Sequence, residues 1–413
     1  MNLNDEEQDI LAGKCGPVAR LALQHQLKVG EFFGAEDFVP VTQAHIMADT
    51  ESLGEEGVRW VESLAGASVR VPTIMDPRGT DFAKASVLKH SSKILDLERR
   101  CIEAFKRLGI FMTDTCINYQ TIQAPAPGES VAFGDTGVVI YCNSVCGARS
   151  NFEGGPSAVA AGLTGRTPRY GFHLDATRKA TVRVRVEWTP VTLNDWGALG
   201  GLIGRLAGNY WAVPHVEGLS AVPGSDQLKH FGAAMASFGS VALYHLVGVT
   251  PEAPTFEAAV GPNRTLETFT YGKAEQRRTY ETLNARGQDT NVDYVMLGCP
   301  HAALEQIQEI CRLLEGRRIN SGVRLWVFTS RAIRAVADKE GYSKIIRDAG
   351  GVLITDTCSA IGQALPPNTK VAALDSAKQV HYLPAIMGIQ AWFGTTADCI
   401  DAALTGRWRG VAP

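Results

Sequence analysis

Apolar and polar positions alternate along this chain in blocks that read as strand, helix, strand. Short continuous apolar runs, the mark of strands buried on both faces, occur at 39–46, 69–75 and 110–113. Between them lie helical patterns: 52–66, with Leu53, Val58, Trp60, Val61 and Leu64 inward, and a helix from Ser92 carrying Ile94, Leu97, Ile102, Phe105 and Leu108. Residues 4–30, with Leu11, Val18, Leu21 and Ala22 near helical spacing, predict one packing helix in front. The pattern recurs late in the chain. Strands are expected at 294–297, 325–328 and 352–354. One helix is expected through Leu304, Ile307, Ile310, Cys311 and Leu314, and another from Ile333 to Ile346. A third alternation lies between: strands 182–188, 210–213 and 243–249, helices 194–208 and 226–239. Strands joined through helices imply parallel sheets with right-handed crossovers. The expected regions are 1–181, 182–260 and 291–413, with the polar run 261–290 as a linker.

The first and last regions end alike. Gly109-Ile110-Phe111-Met112-Thr113-Asp114-Thr115-Cys116 is closely matched by Gly351-Val352-Leu353-Ile354-Thr355-Asp356-Thr357-Cys358. In each, a glycine follows a helix, three apolar residues make a strand, and a cysteine stands where the strand runs out. Ligands of open α/β sheets bind at those strand ends. Cys299 closes the strand 294–297 in the same way, with Pro300 expected in the first turn of a helix that would lower the thiol pKa.

With 413 residues, 45% of them hydrophobic, two or three real cores are expected. The net charge is −3 and no basic stripe appears, which gives nucleic-acid binding no electrostatic support. No apolar run approaches the roughly 18 residues a membrane span needs. The start of the chain is acidic, so a soluble cytoplasmic protein is expected. In that compartment the nine cysteines are buried thiols, metal ligands or nucleophiles before they are disulfides.

Three thiols far apart in sequence, Cys116, Cys299 and Cys358, suit an iron–sulfur cluster with one iron open; zinc with three cysteines and water is the rival. Cys142 and Cys146 follow an expected strand, 138–141, and are assigned to packing. Next comes the densest polar stretch, Asn143-Ser144-Val145-Cys146-Gly147-Ala148-Arg149-Ser150-Asn151-Phe152-Glu153-Gly154-Gly155-Pro156-Ser157. Arg149 can grip a carboxylate and the Gly154 and Gly155 amides open a helix. Ser144, Ser150, Asn151 and Glu153 add directional hydrogen bonds. Lys378, just after Ser376, can anchor an anion or a developing charge, and His45 ends the strand equivalent to that of Cys299. Candidate catalytic residues are therefore Lys378, Arg149 and Glu153; candidate substrate contacts are His45, Ser144, Arg149, Ser150, Asn151, Gly154, Gly155 and Ser376.

The stretch from Asn143 to Ser157, together with Leu163-Thr164-Gly165-Arg166-Thr167-Pro168, resembles the signature of the aconitase X family. So do Thr113–Cys116, Gly298-Cys299-Pro300-His301, Thr357-Cys358, Ser376-Ala377-Lys378 and Gly248-Val249-Thr250-Pro251-Glu252-Ala253. The resemblance implies an aconitase-like α/β fold of repeated three-layer α/β/α units, with the active site at strand C-terminal ends. It implies a hydro-lyase whose iron–sulfur cluster, [4Fe-4S], [3Fe-4S] or [2Fe-2S], is held by Cys116, Cys299 and Cys358. It implies a dehydrated hydroxy-acid, with cis-3-hydroxy-L-proline expected ahead of mevalonate 5-phosphate because the chain shows no surplus of basic residues. Finally it implies a small partner subunit, carrying the swivelling domain and a serine base for which no stretch remains here. The alternative from another class is a non-catalytic structural half of a heteromer. Where the family has Thr-Pro-Tyr after the first cysteine, this chain has Ile117-Asn118-Tyr119.

Overall fold

The strand signals become three parallel sheets. The computed structural model describes residues 1–261, 265–358, 360–362 and 364–410; parts of the expected linker (262–264) and of the last region (411–413) lie outside them. The first sheet is three short strands in the order Thr73–Met75, Ala44–Ile46, Ala132–Phe133, all parallel. The stretch expected as its next strand, 110–113, contributes a single bridge from Phe111 to Ile74. Helices Thr50–Ser63 and Ser92–Arg107 pack together over one core with Ile46, Met75 and Ile110. The last region is a five-stranded parallel sheet in the order Val352–Thr355, Arg324–Thr329, Tyr294–Ala302, Val371–Leu374, Gln390–Phe393. The strand Tyr294–Ala302 is buried along its whole length, which is why it reads as an unbroken apolar run.

The middle region is a four-stranded parallel sheet: His245–Leu246, Pro214–Glu217, Val182–Val186, Thr268–Tyr271. Its last strand and the helix Lys273–Leu283 occupy the stretch expected as a linker. That strand lies at the sheet edge with only Tyr271 fully buried, and the helix is mostly polar. Neither carries the apolar density by which a sequence announces a core element. The middle sheet shares one core with the first region, Val138, Ile140 and Tyr141 packing among Val184, Trp196 and Phe231.

Other expectations are corrected in detail. Residues 138–141 are not a strand but the end of the helix Thr136–Tyr141, capped by Asp135 accepting from the Val138 amide and continued as a π-turn through Cys142–Cys146. Those residues are buried on all sides, so periodicity cannot separate helix from strand there. The single helix expected at 4–30 is two, Asp5–Leu11 and Pro17–Phe33, because Gly13 and Gly16 take positive φ and Pro17 starts a new first turn. The helix expected from Ile333 to Ile346 likewise breaks at Gly341 into Arg331–Lys339 and Tyr342–Ala349. Pro300 is not in a helix: it lies within the strand Tyr294–Ala302, and the helix starts at Leu304.

Helices Leu193–Ala207 and Ser225–Gly239 meet backbone to backbone in the middle region. A Cβ on Gly204 would run into the Met235 carbonyl, and one on Gly239 into that of Gly204. Gly204→Ala should therefore lower the unfolding free energy by about 1–3 kcal/mol, as overpacking does, despite alanine's better helix propensity. Urea denaturation of the two proteins checks this; equal midpoints would contradict it.

Candidate active site

The first and last sheets point their C-terminal strand ends at one cavity of about 390 Å³. Met47 and Asp49 follow the strand Ala44–Ile46, Asp76 follows Thr73–Met75, and Asp135 follows Ala132–Phe133. From the other side come Cys299 and His301 on the central strand, Cys358 after Val352–Thr355, and Lys378 and Gln379 after Val371–Leu374. Cys116 completes the wall. A wider, open groove of about 720 Å³ near Tyr119, Asp226 and Glu305 carries no thiol, so the chemistry lies in the smaller cavity.

Each of the three sulfurs receives an N–H donor. The His301 amide donates to Cys116 Sγ at 3.4 Å, Gln379 Nε2 to Cys299 Sγ at 3.0 Å, and the Ile361 amide to Cys358 Sγ at 3.4 Å. Donors placed on sulfur favour the thiolate, yet burial opposes it. Burial pushes the Cys358 thiol up to about 12 and raises those of Cys116 and Cys299. The expectation that a helix start lowers the Cys299 pKa fails, since Cys299 sits four residues ahead of the helix cap Ala303 and wholly buried. Unliganded, the thiols keep their protons; a metal would displace them and use the waiting donors. Among the described residues no three His, Cys, Asp or Glu close around a single ion. Three thiols facing one cavity are the donor type that iron–sulfur clusters take.

The charged groups form a second layer. Lys378 Nζ lies 3.7 Å from Asp135 Oδ2. Burial alone would lower the lysine pKa, but Asp135 beside it raises it, so the cavity holds a fixed cation. Burial, then repulsion from Asp135, pushes Asp76 well above the carboxylate range. His45, wholly buried and 3.4 Å from Asp76 Oδ1, is pushed down to about 4 by burial and is neutral. It stands behind Asp76, outside the cavity lining. Ser376 caps the helix that carries Lys378, accepting from the Gln379 amide.

The polar stretch after Asn143 does not reach the cavity. Arg149 donates to the His173 carbonyl and pairs with Asp175. Ser144 accepts from the Tyr244 amide, Ser150 from that of Phe133, and Asn151 accepts from Phe172 N–H and donates to the Tyr170 carbonyl. Glu153 accepts from Thr167 Oγ1. Gly154 and Gly155 open the helix Gly155–Thr164, where a Cβ on Gly155 would press on the Met47 carbonyl at 3.1 Å. Buried Arg178 donates to the carbonyls of Asn143, Ala148 and Phe172 and pairs with Glu252. The block is a frame that supports the Met47–Asp49 loop. Its density of polar side chains reflects buried backbone that needs partners. Conversely, Asp49, Asp76, Asp135, His301 and Gln379 escaped the sequence reading. The expected strands 39–46 and 69–75 already led to Asp49 and Asp76, whereas Ala132–Phe133, ahead of Asp135, is too short to show a pattern.

Family models for the first, second and third domains of aconitase X match residues 1–176, 180–281 and 292–405. The chain is 35% identical to the phosphomevalonate dehydratase large subunit of Methanothermobacter thermautotrophicus, over 94% of this chain and 95% of that one. It is 33% identical to the cis-3-hydroxy-L-proline dehydratase of Pseudomonas aeruginosa, over 97% of this chain and 70% of that one. The crystal structure of Thermococcus kodakaraensis aconitase X in its holo-form superposes with a TM-score of 0.86 at 32% identity, covering 98% and 100% of the two chains.

Glu153 offers a pH test of the frame assignment. Burial raises its pKa from 4.5 to about 7. The stability it contributes is therefore full below pH 4.5 and lost as pH rises through 7, about 3 kcal/mol. Glu153→Gln should flatten that fall in urea titrations at pH 4.5 and 7.5; an unchanged pH slope would contradict it.

Proposed function

The chain belongs to the aconitase X family, and we propose that it is the large subunit of an iron–sulfur hydro-lyase that dehydrates a small hydroxy-acid. The observation that carries this reading is the set of three thiols that line one cavity, each met by an N–H donor, beside a fixed lysine. Hydroxide leaves poorly, so elimination needs an acid on the departing oxygen and a base on the carbon-bound proton. A cluster held by Cys116, Cys299 and Cys358 would supply a Lewis-acidic iron with an open position for the hydroxyl. Lys378 holds the substrate carboxylate and stabilises the negative charge that develops as the adjacent carbon loses its proton. The C–H electron pair becomes the new double bond and the hydroxyl departs with its own pair. The base is a serine of a small subunit, the partner implied by the word large in the relatives' names.

For the substrate we propose cis-3-hydroxy-L-proline, converted to a pyrroline carboxylate. Asp49 and Asp135 line the cavity against Lys378 as its cation, beside Glu51, raised to about 7 by burial, and a protonated Asp76. That balance suits a zwitterion, whose ring ammonium faces carboxylates while its own carboxylate faces the lysine. A phosphorylated hydroxy-acid brings more negative charge to the same wall. The second reading, mevalonate 5-phosphate, is favoured by the 34–35% identity to phosphomevalonate dehydratase large subunits. Assay of the anaerobically prepared complex on both compounds decides. Turnover of cis-3-hydroxy-L-proline is expected, and turnover of mevalonate 5-phosphate alone would overturn the substrate assignment.

Cys358→Ser should abolish visible iron absorption and turnover together in the purified complex. Full turnover in an iron-free protein would refute the hydro-lyase reading. Lys378→Met should keep the iron and lose about 10²-fold or more in kcat/KM, measured by steady-state kinetics; wild-type kinetics would remove the lysine from the site.

A further inference from the structure

The two Thr-Asp-Thr-Cys turns meet in space. Asp114 and Asp356 both take left-handed backbone, φ 52° and 69°, a conformation uncommon outside glycine that turns the chain sharply two residues before each thiol. Arg78, in the loop after the strand Thr73–Met75, pairs through Nη2 with Asp114 Oδ2 at 3.2 Å and donates to Asp356 Oδ2 at 3.1 Å. Its backbone amide donates to the Asp356 carbonyl at 2.8 Å. Arg331, the first residue of the helix Arg331–Lys339, donates from Nε to Asp356 Oδ1 at 2.5 Å. Its Nη2 donates to Asp114 and to the Met112 carbonyl. Each arginine touches both aspartates and each aspartate both arginines. The square crosses from the first region to the last twice.

Burial distinguishes this square from a surface ion-pair cluster. Asp114 is fully buried, Asp356 nearly so, and the Arg78 side chain is 12% exposed. Exposed pairs constrain little, whereas removing one partner of a buried set leaves a charge without compensation. A second strut runs parallel to the square. The His301 ring bridges Thr115 Oγ1 and the Thr357 carbonyl, each at 3.0 Å, the residues directly before the two cysteines. All three thiol-bearing segments are thereby tied to one another through side chains that do not themselves reach a metal.

We propose that Asp114, Asp356, Arg78 and Arg331 are positioning residues. They form an interdomain clamp that fixes the separation of Cys116 and Cys358 before any cofactor is loaded. The proposal deepens the iron–sulfur reading and rests on it for its purpose, while the clamp itself is a property of the cofactor-free chain.

The test uses Arg331→Met, Arg331→Lys and Asp356→Asn in the full chain. Arg331 is 48% exposed, and after its removal Arg78 still pairs with both aspartates, so neither is left without a cation and the variant folds. In the iron-free chain, iodoacetamide labelling followed by peptide mass spectrometry reports the rate at each cysteine. Arg331→Met and Asp356→Asn should raise labelling of Cys116 and Cys358 by about tenfold or more while Cys299, Cys101 and Cys399 stay within about twofold of the parent, because only the two turns open locally. Arg331→Lys, which keeps the charge and loses the fork, should fall between. In the reconstituted complex the same variants should lose iron to a chelator correspondingly faster. Unchanged rates at Cys116 and Cys358 would overturn the clamp, and so would a uniform rise at every cysteine, which reports global loosening. Failure of the parent chain to take up iron would sink the hydro-lyase reading and leave the labelling result to decide the clamp.

Discussion

A carboxylate can be buried only where cations and donors meet it, and this chain buries two at one point. Asp114 follows the Phe111 bridge beside the first sheet and Asp356 ends a strand of the last, and Arg78 and Arg331 join them into a single neutral square. Neither region could keep its own aspartate buried alone without a stranded charge. The pairing ties the first and last regions to each other beside the cavity. Everything chemical in the molecule sits within a few residues of a strand end that this arrangement brings together.

Inside the cavity, desolvation sets the protonation states. It holds protons on the three thiols and on Asp76, and it keeps His45 and His301 neutral, pushed down to about 4. Lys378 is the exception, since Asp135 beside it acts against burial and keeps it charged. The proposed substrate carboxylate would meet this cation, with the three thiols and their N–H donors across the cavity. The same desolvation means that cofactor loading and proton release are coupled.

The sequence disclosed what repeats and what is continuous. The duplicated Thr-Asp-Thr-Cys turn pointed to Cys116 and Cys358, and the unbroken apolar run 294–297 pointed to Cys299. All three line the cavity. The alternation of elements was legible because each crossover helix has a clear apolar face. What escaped were elements too short or too uniformly buried to have a period: the two-residue strand Ala132–Phe133 that delivers Asp135, and the helix Thr136–Tyr141. The edge strand Thr268–Tyr271 escaped for the opposite reason, being polar enough to pass for a linker. The stretch around Arg149 lies apart from the cavity lining, because buried backbone asks for the same residue types as a binding site. Its side chains meet Tyr170, Phe172, His173 and Tyr244.

The fold explains why the thiols converge, and the family explains why convergence matters. The most direct measurement is differential alkylation of the chain with and without anaerobically reconstituted iron and sulfide, read cysteine by cysteine. Loading should protect Cys116, Cys299 and Cys358 and leave the other six cysteines as they were. Protection of a different set, or none at all in protein that has taken up iron, would contradict a cluster seated between the two sheets.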